Sequence, residues 1–378
     1  MNLALFIRGL FPGRIGGQEI YGYMILKNFI KLNHKIALFC SGSFKIYDKQ
    51  VTLFSYRPMN TAILQFVYKV LWYLLIFIKY RKKLKIQLIH ANGVISEGMA
   101  AVLIKKILKI PVVITLHGGG IYKFAEKFPF IVKYILNHSD RVIAINNYIK
   151  KLAKRYTSKK IYVIPNFIDS KIFTRASQAE IIKFKEKCKL NDKIILLIVA
   201  RLVPKKGISY LIHAIRQLAE KYPNICLMII GNGPQKKYFE KLVNSLDLKE
   251  LILFLGRISN KNLAIYYSIC DIFVLPSLFE GQPTVILEAM ACEAPIIGTK
   301  TGGIPELIKS GYNGLIIPKK NLSALIEGID TLLSNPDLRE TMRKNSRKII
   351  EEKYDSTKNF RKIYELYLSA MKSFYNER

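Results

Sequence analysis

Two doubly wound α/β domains are the architecture this sequence predicts, and three observations predict it. Short runs rich in Ile, Val and Leu recur along the whole chain, with longer helix-spaced segments between them. Near-continuous apolar strands alternating with helices mean parallel sheets covered on both faces. The runs form two sets separated by a break at residues 165–173, PNFIDSKIF, and 378 residues exceed what one hydrophobic core usually serves.

The first set of expected strands is NLALFI, HKIALFC, IQLIHA, VVITLH, RVIAIN and IYVIP. The second is KIILLIVA, ICLMIIG, LILFLG, DIFVLP, PIIGT and LIIP. The last segment, Ser356 to Tyr375, has amphipathic helical spacing and no strand after it. In doubly wound sheets ligands bind at the carboxyl ends of the strands, and two facing domains place both sets of loops around one cleft.

Ile63 to Ile78, ILQFVYKVLWYLLIFI, is the most apolar stretch. As a helix it is roughly 24 Å long, short of the roughly 30 Å hydrocarbon layer, so it is not expected to span a membrane. Gln65, Lys69 and Tyr73 recur every four residues as a narrow polar stripe, and KYRKKLK follows. Two readings stand: a helix in a membrane interface, or one packed against a sheet.

The net charge is +33, and residues 1–170 hold 27 Lys/Arg against 6 Asp/Glu. Either a nucleotide bias of the encoding gene or attraction to an anionic partner accounts for it. The basic clusters lack the glycine and aromatic pattern of RNA-binding modules, so a membrane surface is the expected anion and nucleic acid is not. Five scattered cysteines without a CxxC pair indicate neither a disulfide framework nor a zinc site, which suits a reducing cytosol. The opening NLALFIRG carries Arg8, runs into a glycine turn and does not read as a secretory signal.

Glycine and charge concentrate in the loops after the strands. In RGLFPGRIGGQE, Gly16 and Gly17 precede a helix and let backbone N–H groups approach a phosphate, or simply make a tight turn. His117 ends VVITLH beside three glycines, a better place for a site histidine than most. KIILLIVA runs into RLVPKKG, where Arg201 and Lys206 are expected to project toward one point and suit a diphosphate. ICLMII opens into GNGP at Gly231, LILFLG into GRISN with Arg257 and Ile258, and PIIGT into KTGGIPE. Within FEGQPTVILEAMA, Gly281 and Pro283 break a helix interior, so a helix is expected from about Pro283 through Met290. Glu280 then lies in a loop and Glu288 on the helix.

In that order, GRIGGQE, VIPNFID, VARLVPKKG, IIGNGP, FLGRI, SLFEGQPTVILEAMAC and TGGIPELI resemble the retaining glycosyltransferases of family 4, which have GT-B architecture: two Rossmann-like domains facing across a cleft. The resemblance covers nearly the whole chain. It implies an acceptor-binding domain of residues 1–170 with a C-terminal helix 357–378, and a nucleotide-sugar domain of residues 171–356. It implies that Arg201 and Lys206 bind the donor diphosphate and stabilise it as it leaves. Glu288 is implied to hold the ribose, while Glu280 with Gly281, Gln282, Pro283 and Thr284 faces the donor sugar and α-phosphate. Gly16, Gly17 and Gly231 join the donor set, His117 lies near the reacting sugar, and the base lies against Arg257 and Ile258. No metal and no cofactor are implied, in keeping with the lack of a D-x-D motif; the donor is a UDP- or GDP-sugar. The chain departs from the family at Glu293 and at Pro165-Asn166-Phe167, where glycine-containing variants are usual.

The resulting expectation is a cytoplasmic enzyme, peripheral on the inner face of the cell membrane, that glycosylates a lipid-linked or membrane-borne glycan in surface polysaccharide or lipopolysaccharide assembly. Two alternatives stand beside it: a soluble transferase acting on a small sugar or sugar phosphate, and a non-catalytic binding protein of the same fold.

Overall fold

The computed structural model describes residues 1–9, 16–42, 48–56 and 62–376. Two compact units emerge, one of residues 1–166 with the helix Ser356–Asn376 and one of residues 167–355.

The first unit is a parallel sheet of seven strands: β1 (Asn2–Phe6), β2 (Lys35–Ser41), β3 (Val51–Tyr56), β4 (Leu88–Ala91), β5 (Val112–Leu116), β6 (Arg141–Ala144) and β7 (Ile161–Val163), in the order β3-β2-β1-β4-β5-β6-β7. Its interior strand β1 pairs Leu3 with Ile36 on one side and Leu88 on the other. Leu3 to Phe6 are fully buried, as a strand covered on both faces requires. Strand β3 has no counterpart among the expected strands. It pairs with β2 alone, at the edge, where Thr52 and Ser55 face solvent and interrupt the apolar run.

The apolar stretch forms the helix Ala62–Leu84. Tyr73 and Phe77 are fully buried, Tyr73 stacking 4.6 Å from Phe6 and Phe77 5.9 Å from Phe39. The expected polar stripe is therefore corrected at Tyr73, whose hydroxyl donates to the Ile7 carbonyl at 3.3 Å. That bond satisfies the hydroxyl and lets the ring pack as core. Among the described residues no helix is long and apolar enough to cross a membrane.

In the helix Ser356–Asn376, Phe360, Ile363, Tyr367 and Ala370 are buried at three- and four-residue spacing. The Phe29 ring lies 5.3 Å from Phe360 and 5.7 Å from Tyr367, so this helix completes the first unit's core although it lies last in sequence.

The second unit is a parallel sheet of β8 (Ile194–Val199), β9 (Ile225–Ile230), β10 (Ile252–Gly256), β11 (Ile272–Leu275), β12 (Ile296–Thr299) and β13 (Leu315–Ile317), in the order β10-β9-β8-β11-β12-β13. All six were legible as apolar runs. The helix Ile208–Lys221 shows why they pair with helices: Ile208, Leu211, Ile212, Ile215 and Leu218 are buried along one stripe. In both sheets the order reverses beside the first strand of the unit, with β1 between β2 and β4 and β8 between β9 and β11. Loops at the carboxyl ends of those strands line a topological switch point, the place where such sheets bind ligands.

Candidate functional site

In the second unit, four loops at that edge are locked together by backbone contacts. After β8 the chain passes Arg201 and makes a tight turn, Pro204–Lys206, closed by Gly207 at φ +68°. A Cβ on Gly207 would fall 2.0 Å from the Pro276 carbonyl oxygen, so only glycine fits there. Leu278 N–H donates to the Lys205 carbonyl at 2.8 Å, tying this turn to the loop after β11. After β9, Gly231 N–H donates to the Gly256 carbonyl at 2.7 Å, and Leu202 N–H donates to the Asn232 carbonyl at 3.1 Å. After β12, Gly302 stands at φ +53° with its α-carbon so close to Glu280 that a Cβ would meet the Glu280 carbonyl oxygen at 1.7 Å. Thr301 Oγ1 donates to the Leu278 carbonyl at 3.1 Å.

This scaffold holds one ion pair. Lys206 Nζ donates to Glu280 Oε1, and Ser277 Oγ donates to the same oxygen at 3.0 Å. The two charged side chains are only 14% and 11% exposed, so the pair sits where water screens it weakly. Arg201 does not join them. It is exposed, and among the described residues its guanidinium makes no ion pair.

Gly281, Gln282 and Pro283 lead into the helix Thr284–Ala291, within a residue of the expected bounds. Gln282, Thr284 and Glu288 are buried. Glu288 Oε2 accepts a hydrogen bond from the Tyr267 hydroxyl at 2.8 Å. Burial pushes its carboxyl up from the ordinary 4.5 to about 7, opposed in part by the Tyr267 bond. Arg257 is exposed and Ile258 half-buried; both line an open depression of about 630 Å³ with Phe184, Asn262 and Tyr266. Neither Lys206, Glu280 nor Glu288 lines this depression.

The helix Thr284–Ala291 ends in Cys292, and Glu293 follows at φ +58°, with its N–H donating to the Met290 carbonyl at 3.1 Å. A non-glycine residue there bears the left-handed penalty, about 1 kcal/mol. Glu293→Gly should therefore raise unfolding stability by about 1 kcal/mol in urea denaturation. Unchanged or lower stability would mean that the Glu293 side chain contributes more than the backbone loses.

In the first unit, Gly16 caps the helix Gly17–Lys31, while Gly13, Arg14 and Ile15 of the GRIGGQE motif lie outside the described residues. His117 follows β5. Its Nε2 donates to Asn92 Oδ1 at 2.6 Å, and Asn92 Nδ2 donates to the Gln18 carbonyl at 2.9 Å. Burial holds the His117 pKa down at about 3, so the ring is neutral, and the Asn92 bond fixes the proton on Nε2. A chain of hydrogen bonds thus connects His117 to the helix that Gly16 and Gly17 begin. Asn92, Tyr267 and Ser277 are the partners that sequence reading missed. Asn92 and Ser277 had a signal, each a polar residue just past the carboxyl end of its strand, β4 and β11; Tyr267 had none.

Two family models cover most of the chain: Glycosyl transferases group 1 matches residues 180–349, and Glycosyltransferase Family 4 matches residues 15–171. An uncharacterized glycosyltransferase of Methanocaldococcus jannaschii is 33% identical over 74% of this chain and 75% of its own length. The alpha-monoglucosyldiacylglycerol synthase of Acholeplasma laidlawii is 27% identical over 71% of this chain and 72% of its own. The crystal structure of Anabaena HepE in complex with UDP superposes with a TM-score of 0.82 at 21% identity, over 98% of this chain and all of that one.

Proposed function

Because the chain belongs to the group 1 glycosyl transferases of family 4 type, with the GT-B fold, we propose that it transfers a sugar with retention from a nucleotide-sugar donor to a membrane-borne or lipid-linked glycan acceptor. The observation that carries the donor half of this reading is the Lys206–Glu280 pair, held by four interlocked loops at the carboxyl edge of the second sheet. A cation fixed in a poorly hydrated place is what departing diphosphate needs. As the bond from the sugar C1 to the β-phosphate oxygen breaks, negative charge grows on that oxygen and positive charge on the sugar ring. Lys206, shared until then with Glu280, meets the growing charge, and Arg201, exposed beside it in sequence, supplies a second donor. The departing phosphate oxygen takes the acceptor hydroxyl proton on the face it leaves, so the acceptor oxygen bonds to C1 on that same face. Glu280 keeps Lys206 in place before the donor arrives, and Glu288 receives the ribose hydroxyls.

UDP bound to HepE and the diacylglycerol named for the Acholeplasma enzyme support the donor and acceptor classes respectively. The net charge of +33, concentrated in residues 1–170, supports an acceptor presented on an anionic membrane, and with it a cytoplasmic, membrane-peripheral place in surface polysaccharide assembly. Thermal melting against a panel of UDP- and GDP-sugars tests the donor half. The right nucleotide sugar at a hundredfold excess over Kd stabilises by about 2.7 kcal/mol and is slowly hydrolysed to free nucleotide. No stabilisation by any nucleotide sugar, with no nucleotide release, would leave a binding protein of the same fold.

A further inference from the structure

The helix Ala62–Leu84 has two apolar faces. Val70, Tyr73 and Phe77 point into the core of the first unit. Leu64, Val67, Tyr68, Leu71 and Leu75 do not: they are 36–66% exposed. At about 100° per residue these five lie within about 60° of one line along the helix, opposite the buried face. Lys82 falls on the same line, with exposed Lys79 and Lys83 on its flank. A contiguous apolar surface of this kind marks an interaction site.

Charge decides the occupant. Between Asp48 and Glu97 the chain holds eight Lys/Arg and no acidic residue. A second copy seated on this face would set the basic cluster against itself, because a two-fold interface pairs each patch with its own image. An anionic leaflet offers hydrocarbon to the leucines and phosphates to the lysines in one surface. We propose that this face lies flat on an anionic bilayer, with Leu64, Val67, Leu71 and Leu75 entering the headgroup boundary while Lys79, Lys82 and Lys83 meet the lipid phosphates. The inference takes its biological sense from the membrane-borne acceptor proposed above, on which it rests, and its test is independent of sugar transfer.

The test is co-sedimentation with phosphatidylcholine vesicles with and without one-third phosphatidylglycerol, at low and high salt. The wild-type chain binds the anionic vesicles and is partly released by salt. Leu71→Asp/Leu75→Asp lowers the bound fraction roughly tenfold or more, because two side chains leave hydrocarbon and two charges oppose the leaflet. Lys79→Gln/Lys82→Gln/Lys83→Gln leaves a weaker binding that salt moves less than the wild type's. Melting temperature and the wild-type rate of nucleotide release confirm that each variant is folded, and Leu75→Ser serves should the double aspartate variant melt early. Wild-type binding by the aspartate and serine variants overturns the inference, as does a wild type that ignores anionic vesicles. A variant that turns from dimer to monomer while keeping its vesicle binding overturns it in favour of a second copy. An enzyme that docks through this face yet glycosylates only soluble sugars retains the inference and removes the membrane-borne acceptor instead.

Discussion

Lys206→Ala lowers kcat by two to three orders of magnitude, about 2.7–4 kcal/mol of transition-state stabilisation, if Lys206 meets the charge that grows on the departing diphosphate. The geometry adds a complication with diagnostic value. Lys206 is the cation on Glu280, and truncating it leaves a carboxylate that is 11% exposed with Ser277 as its neutral partner. Breaking one side of a buried pair destabilises because the remaining charge is uncompensated, here by about 1–3 kcal/mol. Lost turnover in the single variant therefore mixes chemistry with a strained loop. The double variant Lys206→Ala/Glu280→Gln separates them, since the neutral amide no longer needs the ammonium. Its unfolding stability returns most of the way to wild type while turnover stays low. Steady-state kinetics with urea denaturation of both variants checks this. Recovered turnover in the double variant would reduce Lys206 to a structural partner of Glu280, and the catalytic cation would have to be sought in Arg201.

The fold was readable wherever burial imposes continuous apolar sequence. Strands β1, β8, β9, β11 and β12 lie between two layers of helices, so nearly every position in them had to be apolar. Strand β3 escaped because an edge strand tolerates exposed polar residues such as Thr52 and Ser55, one on each face. The helix Ala62–Leu84 was harder for a different reason. Tyr73 counts as polar in a periodicity argument, yet one hydrogen bond to the Ile7 carbonyl turns it into core, and the solvent face is the one carrying leucines. Packing against the sheet describes the buried face of that segment, and the other face is apolar and exposed. In the candidate site, spacing separated Glu280 from Glu288 by assigning one to a loop and one to a helix. Spacing is blind to partners far apart in sequence. Lys206 meets Glu280 across 74 positions, Tyr267 meets Glu288 across 21 and Asn92 meets His117 across 25, each brought together by strand order rather than by local pattern.

Glu288→Gln is expected to stabilise the free protein above neutral pH while weakening the donor, and both effects follow from one carboxyl group. Burial raises the Glu288 pKa from 4.5 to about 7. The unfolded chain gives up this proton near its ordinary value and the folded chain keeps it to about 7. Within that window folding takes up a proton, so this group's contribution falls as pH rises and levels off above about 7. The total fall is about 3 kcal/mol, at 1.36 kcal/mol per unit. Glutamine accepts the Tyr267 hydroxyl without ionising, so Glu288→Gln should match the wild type near pH 4.5 and exceed it by up to about 3 kcal/mol at pH 8. Ribose hydroxyls are donors, and a carboxylate accepts from them far better than a protonated acid does. The nucleotide therefore selects the ionised form, and wild-type affinity for it rises as pH climbs toward 7, by up to about tenfold per unit below the pKa. The variant loses that slope and binds more weakly at pH 8. Calorimetric titration of the nucleotide from pH 5.5 to 8, beside urea denaturation over the same range, reads both limbs. A wild-type Kd that is flat with pH, or equal to that of the variant at pH 8, would remove Glu288 from the ribose and leave its buried charge without a functional counterpart.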